Sequence, residues 1–277
     1  VNSQALMSRF PIDHLGLVGS DIGALVAAFR GLGFQVTEPA QLMTSAGDSH
    51  GVQHSAHVMV GNGYLELTAV SGATAEHHLA PYLGMPPGIR IVILSCIDAQ
   101  AEQTQLSDKG IGVTAVQTAR RRLHYGGGEE VGFRWFAADP QPVNTLLVGW
   151  VQHENSDELY HPDVCQHRNT AACLLALHGN PKVLPATIET SDGLPWYASS
   201  STHRPVQPAA KSEPPVSADA GSLAELTSPI SAIEWGVMDL ARCIASLPDS
   251  AVIADDEARI PASRVLGVEL IFRELGG

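Results

Sequence analysis

Apolar and polar residues alternate over Ile12–Val18, which predicts a strand; the spacing then turns helical over residues 22–32. Asp21 stands where a helix needs an N-cap, and Gly31 and Gly33 close the helix. Residues 34–36 begin a second strand, and a polar loop runs over residues 39–50. Residues 53–60 and 63–70 are β-rich runs joined by Gly61-Asn62, a two-residue connection that predicts a tight hairpin. The predicted order is β-α-β-β-β.

That order recurs. Residues 90–96 read as a strand, 98–108 as a helix, and 113–120, 131–138 and 144–152 as strands. Superimposing Asp21 on Asp98 aligns the two strand-turn-helix openings, although few residues are identical. A degenerate third unit starts at residues 171–178. A last unit has strands over 233–237, 251–253, 259–261 and 265–273, with a helix over 238–247. Two modules (10–72 and 88–152) thus fill residues 1–155, a connector spans 156–170, and an eroded module pair spans 171–277. Its Ser-, Pro- and Ala-rich stretch 199–222 reads as a mobile loop.

Composition narrows the function classes. Sixteen Lys and Arg against 29 Asp and Glu give a net charge of −13, opposite to what phosphate binding requires, so nucleic acid and anionic membranes are not expected partners. The one dense basic run, Arg120-Arg121-Arg122, reads as a solvated strand edge. No apolar stretch is long enough to span a bilayer, and no leader pattern opens the chain. Cys96, Cys165, Cys173 and Cys243 lack C-x-x-C spacing and read as reduced residues, which points to the cytoplasm.

Several motifs carry a family resemblance. Ile12-Asp13-His14-Leu15, with Asp21 leading a helix that ends in Leu32-Gly33-Phe34, resembles the opening of glyoxalase-like proteins of the vicinal-oxygen-chelate superfamily. Gly63-Tyr64-Leu65-Glu66-Leu67 resembles their fourth strand, and His167-Arg168-Asn169 is similar to a connector in multi-module members. Arg259 to Arg264 followed by Gly267-Val268-Glu269-Leu270 resembles the family's end. The resemblance implies an α+β fold of repeated βαβββ modules (glyoxalase/bleomycin-resistance/extradiol dioxygenase-like), paired into curved open sheets around a cavity. It also implies metal ligands on the first and fourth strands of a module, here His14 and Glu66.

Strand geometry supports that placement. If Leu15, Leu17, Leu65 and Leu67 face the core, then His14, Tyr64 and Glu66 face the cavity. With Gly61-Asn62 as the turn, Val60 pairs with Gly63 and His57 with Glu66. His14, His57 and Glu66 on three adjacent strands would suit a divalent ion such as Fe(II), Mn(II) or Zn(II); a hydrogen-bonded pair in a polar cleft is the plainer alternative. The second module departs from the family, since Ile91 and Val148 or Gly149 occupy its ligand positions. Missing donors would have to come from His57 or from His50, His54, His124 or His153. Arg134 meets either an anionic substrate or a carboxylate at the sheet edge, and Tyr64 and Trp150 form either cavity wall or core. The pair His77-His78 reads as surface.

The leading expectation is a metal-dependent enzyme, a lyase, isomerase or dioxygenase. It would chelate two oxygens of a small-molecule substrate, with Glu66 also moving a proton. The rival is a metal-free protein that binds or sequesters a small molecule in the same cavity, and a third reading has the cavity filled by side chains. Pairing of modules between chains would make a homodimer, although four internal modules satisfy the same pairing within one chain.

Overall fold

In the computed structural model the described residues are 12–44, 47–141, 146–179, 196–198 and 228–276. In chain order the elements are β1 (Ile12–Val18), α1 (Ile22–Gly31), β2 (Ala40–Gln41), β3 (Met43–Thr44), β4 (Val52–Val60) and β5 (Gly63–Ser71). There follow β6 (Gly88–Ser95), α2 (Ala99–Asp108), β7 (Gln117–Arg122), β8 (Glu130–Ala137), β9 (Leu147–His153) and the single-turn α3 (Ser156–Leu159). The remainder is β10 (Ala171–Gly179), β11 (Trp196–Ala198), β12 (Ile230–Val237), α4 (Leu240–Ser246), β13 (Val252–Ile253), β14 (Glu257–Ile260) and β15 (Glu269–Glu274). The predicted loop over 199–222 lies outside the described residues.

Helices α1, α2 and α4 start where the sequence places an aspartate. Asp21 Oδ1 accepts the backbone N–H groups of Gly23 (2.8 Å) and Ala24 (3.2 Å), and Asp98 does the same for Gln100 and Ala101 at 3.0 Å each. Each cap satisfies donors that the first helical turn leaves unpaired. Asp239 caps α4 in the same way, through Arg242 N–H.

Nine strands form one sheet in the order β2-β4-β5-β1-β6-β9-β8-β7-β3. Within each module the first strand runs parallel to the last, β1 with β5 and β6 with β9, and the modules meet where β1 and β6 pair antiparallel. The ends of this order, β2 and β3, are separated in the chain by Leu42 alone, so the sheet curls back on itself nearly into a barrel. The fold is the expected α+β one. Several boundaries differ from expectation: β2 and β3 fall inside the predicted polar loop, and β15 starts at Glu269 rather than at residue 265. Phe34 and Val36 are buried but belong to no strand, because the chain there packs side chains into the core and pairs no backbone with the sheet. Residues 113–116 touch the sheet only through a bridge from Val113 to Ala138, and β7 runs on to Arg122.

The second sheet has six strands, β11-β10-β12-β15-β14-β13. Both sheets share one core. Leu15, Leu17, Leu65 and Leu67 face α1, and each such fully buried side chain contributes roughly 1.5–3 kcal/mol. Phe34 extends the core across the sheets, its ring 4.9 Å from that of Trp235 and 5.7 Å from that of Phe29. The connector is a latch: His167 accepts Gln35 N–H at Nδ1 (2.9 Å) and donates from Nε2 to Met59 O (2.8 Å).

The hairpin turn is a second latch. Gly61 N–H donates to Ala172 O at 2.8 Å. The Asn62 side chain donates to Leu174 O and accepts Leu174 N–H, both at 2.8 Å. Asn62→Ala removes both Leu174 bonds and is expected to cost about 1–3 kcal/mol, read as a lower urea midpoint. An unchanged midpoint would show that this contact holds nothing.

Candidate functional site

A pocket of about 80 Å³ lies inside the curl of the nine-stranded sheet, so the cavity is not filled by side chains. Its polar face comes mainly from β1, β4, β5 and β7, in His14, Gln53, Tyr64, Glu66 and Arg121. Ile91, Ile93, Leu147, Val151, Phe133 and Trp135 form apolar walls. Val60 pairs with Gly63 and His57 with Glu66, the register that the two-residue turn dictates. His14 pairs with Tyr64, and their rings stack with centroids 4.3 Å apart. Gly16 lies two residues on, where any Cβ would strike the side chain of Ile91.

Strict alternation would send Asp13 to the same face as Leu15 and Leu17, into the apolar core. Instead β1 carries a bulge. Ile12 pairs with Leu94 and His14 with Ile93, so Asp13 is one residue too many for its partner strand. The distortion lets neighbouring side chains meet: His14 Nδ1–H donates to Asp13 Oδ1 at 2.6 Å. His153, at the end of β9, donates from Nε2 to Asp13 Oδ2 at 2.9 Å. Burial alone would raise the Asp13 pKa, but the bonds from His14 and His153 outweigh it and hold the carboxyl well below the usual range.

Because a carboxylate only accepts, the Nδ1 proton of His14 is fixed and Nε2 faces the pocket. There it stands 3.7 Å from Glu66 Oε2. Two acceptors at that separation share a proton or bind a donor between them, which is the arrangement of an acid–base pair.

His57 takes a different part from the one expected of it. Arg121 Nη1 donates to its ring at Nε2 through a short contact, and the same Nη1 lies 3.1 Å from Nδ1. Thr37 Oγ1 lies 3.4 Å from Nδ1 on the other side. Burial first, then the Arg121 charge and His14, push the His57 pKa well below its ordinary value, so the ring is neutral. A ring that faces a guanidinium is a poor neighbour for a second cation, and the contact the structure gives His57, expected as a third metal ligand, is with Arg121. Among the described residues no group of three or more His, Cys, Asp or Glu side chains is disposed to hold a metal ion. The pocket offers a divalent ion His14 and Glu66, with a fixed positive charge beside them. That donor set does not fit an ion held by two histidines and a carboxylate.

Other expectations are corrected by the same alternation. Phe133 and Trp135 face the pocket, so Arg134 between them points to the opposite side of β8 and is no substrate residue there. Trp150 is fully buried in the shared core and stacks on Phe136 at 5.0 Å, while its neighbour Val151 lines the pocket. The basic run is not all surface. Arg120 pairs with Glu130 outside, whereas Arg121 turns inward. Strand periodicity was the available signal, because Ala119 and Arg121 share one face of β7. His78 also lines the pocket, 5.2 Å from the Trp135 ring, its pKa pushed down to about 3 by burial and then by His77. Of His50, His54, His124 and His153, only His153 bonds to the site.

The carboxylates of the second sheet are engaged in ion pairs. Glu234 meets His178 at 3.0 Å and Arg273 at 2.9 Å, and Arg273 also meets Glu257 at 2.6 Å. No helix among the described residues is long and apolar enough to cross a membrane.

Comparison with known proteins follows this geometry. A hypothetical protein from Staphylococcus aureus shares the fold, with a TM-score of 0.59 at 11% identity, over 96% of this chain and 100% of that one. A xylose isomerase-like TIM barrel/4-hydroxyphenylpyruvate dioxygenase fusion protein aligns at a TM-score of 0.49 and 12% identity, over 100% of this chain and 52% of its own. Methylmalonyl-CoA epimerase from Mycobacterium tuberculosis aligns at 0.38 and 15% identity, over 57% of this chain and 97% of its own. No curated protein matches the sequence. The pattern of the family described as "Glyoxalase-like domain" matches residues 12–190, more than half of the sequence. The chain belongs to the glyoxalase-like domain family.

Proposed function

We propose that this chain is an enzyme that moves a proton on a small oxygenated organic substrate, as an isomerase or lyase, without a resident metal. The observation that carries the reading is the chain of contacts Asp13–His14–Glu66, at 2.6 Å and 3.7 Å, ending inside the pocket. His14 Nε2 is the base: it takes a proton from a carbon next to a carbonyl, and the bonding electrons move to the carbonyl oxygen. The protonated His14 returns that proton, at the same carbon or at the adjacent atom, and the Glu66 carboxylate beside it stabilises the imidazolium between the two transfers. No electrons are gained or lost overall. Asp13 is a positioning residue that keeps His14 in the Nδ1–H form and stabilises the imidazolium when it forms. Dioxygen chemistry would need two histidines and a carboxylate on iron, and His57 is committed to Arg121.

Three outcomes test this reading. In D2O, protein treated with chelator should catalyse deuterium uptake into a substrate drawn from a panel of 2-oxo acids, hydroxyketones and 2-oxoaldehydes. His14→Ala and Glu66→Gln should each lower the rate by about 10²- to 10⁴-fold. Exchange that appears only after adding Fe(II), Mn(II) or Zn(II) would restore the metalloenzyme reading, and none under either condition would leave a binding protein.

Elemental analysis of protein purified without a histidine tag should find far less than one equivalent of transition metal. One equivalent that disappears in both His14→Ala and Glu66→Ala would contradict the proposal.

Asp13 keeps its charge to lower pH in the folded than in the unfolded chain. Its stabilising contribution is therefore complete above about pH 4 and lost as pH falls toward its folded value. Asp13→Asn should cost about 2–3 kcal/mol at pH 7, with the difference from the native protein narrowing below about pH 4 in denaturant titrations. A difference that is the same at every pH would show that the charge is not what stabilises.

A further inference from the structure

Arg121 is buried to 5% exposure. A guanidinium so placed is normally paired with a carboxylate. Arg121 has none: among the described residues its polar contact is with the neutral ring of His57, and its Cζ lies 5.2 Å from the centroid of Phe133. Its Nε is buried with no hydrogen-bond partner. Glu66 shares the pocket, and its contact among the described residues is with His14 Nε2 at 3.7 Å. Arg120, one residue away, shows the ordinary solution, an exposed pair with Glu130 at 3.2 Å. The inward arginine thus carries a buried charge and an unused N–H, both in the wall of a cavity.

We infer that Arg121 is the anchor for the carboxylate of a small monocarboxylic acid whose apolar body lies against Phe133 and Trp135. This names the substrate class for the acid–base site proposed above and rests on that reading for the reaction, though not for the binding. Three features select this ligand. One edge of a guanidinium presents two parallel N–H groups that match the two oxygens of a carboxylate, and His57 holds Nη1 so that the fork cannot swing away. Arg121 is the one arginine or lysine among the residues that line the pocket, so a second negative charge on the ligand would be buried without a partner and a dianion is disfavoured. The remaining walls are hydrocarbon and aromatic, suited to a short aliphatic or aryl chain.

Calorimetric titration with acetate, butyrate and phenylacetate, each against its amide, tests the inference on the unaltered chain. At least one acid should bind, about tenfold or more tighter than its amide. Arg121→Lys, which keeps the charge and loses the fork, should weaken that acid about tenfold. Arg121→Met should abolish the preference while leaving the amide within about twofold. Because Arg121→Met removes an uncompensated buried charge, its Tm should rise, whereas a purely structural arginine would lower it; the acid should raise the Tm of the native chain only. The inference is overturned if no acid binds, if acid and amide bind alike, if the preference survives in Arg121→Met, or if inorganic phosphate outcompetes every acid. Failure of the two proposals can be told apart. Acids that bind without deuterium exchange remove the catalytic reading alone, and exchange on neutral ketones without acid binding removes this one alone.

Discussion

The bulge at Asp13 is the feature on which the site depends. β1 is an interior strand of the curled sheet, flanked by β5 and β6 and buried along its whole length. A regular strand in that position would bury the Asp13 carboxylate among leucines, a placement that a charged group tolerates only when it is bonded. One extra residue lets Asp13 reach both His14 and His153 and so brings the two modules to a common polar point. The same distortion sets the tautomer of His14 and aims its free nitrogen at Glu66. Backbone irregularity, hydrogen bonding and candidate chemistry are here one event.

Charge is handled differently in the two sheets. In the six-stranded sheet Glu234, Glu257, Arg259 and Arg273 neutralise one another in a connected set. In the nine-stranded sheet the negative charge of Asp13 is answered by two imidazoles, while the positive charge of Arg121 is answered by a neutral ring. Buried charge that is fully paired fixes structure, and buried charge that is not invites a ligand. This difference is why the ligand proposal is placed in the nine-stranded sheet and not in the six-stranded one.

Much of the fold was legible because its signals are local and periodic. Asp21 and Asp98 announced their helices, Gly61-Asn62 announced a hairpin, and the turn length alone put His57 opposite Glu66. The site was legible only in part. His14, Tyr64 and Glu66 follow from alternation within one hairpin and its neighbour. Asp13 did not, since alternation assigns it to the wrong face and nothing local reports the bulge. His153 and Arg121 come from the partner module, and their approach depends on how far the sheet curls, which no residue pattern encodes directly. Arg121 was hidden by its company: Arg120 and Arg122 made the run look like surface, although every second residue of a strand faces the same way. Arg134 and Trp150 stayed open between two readings for the converse reason, each sitting next to wall residues.

The turn at Gly61-Asn62 ties its backbone to Ala172 and Leu174, more than a hundred residues further along. During synthesis the first hairpin can pair its strands early, but its tip stays unlatched until the start of β10 has left the ribosome. His167, which clasps Gln35 and Met59, arrives only slightly sooner. The first module therefore waits, partly fastened, through the translation of the whole second module, and this late closure makes the nascent chain dependent on its own downstream half.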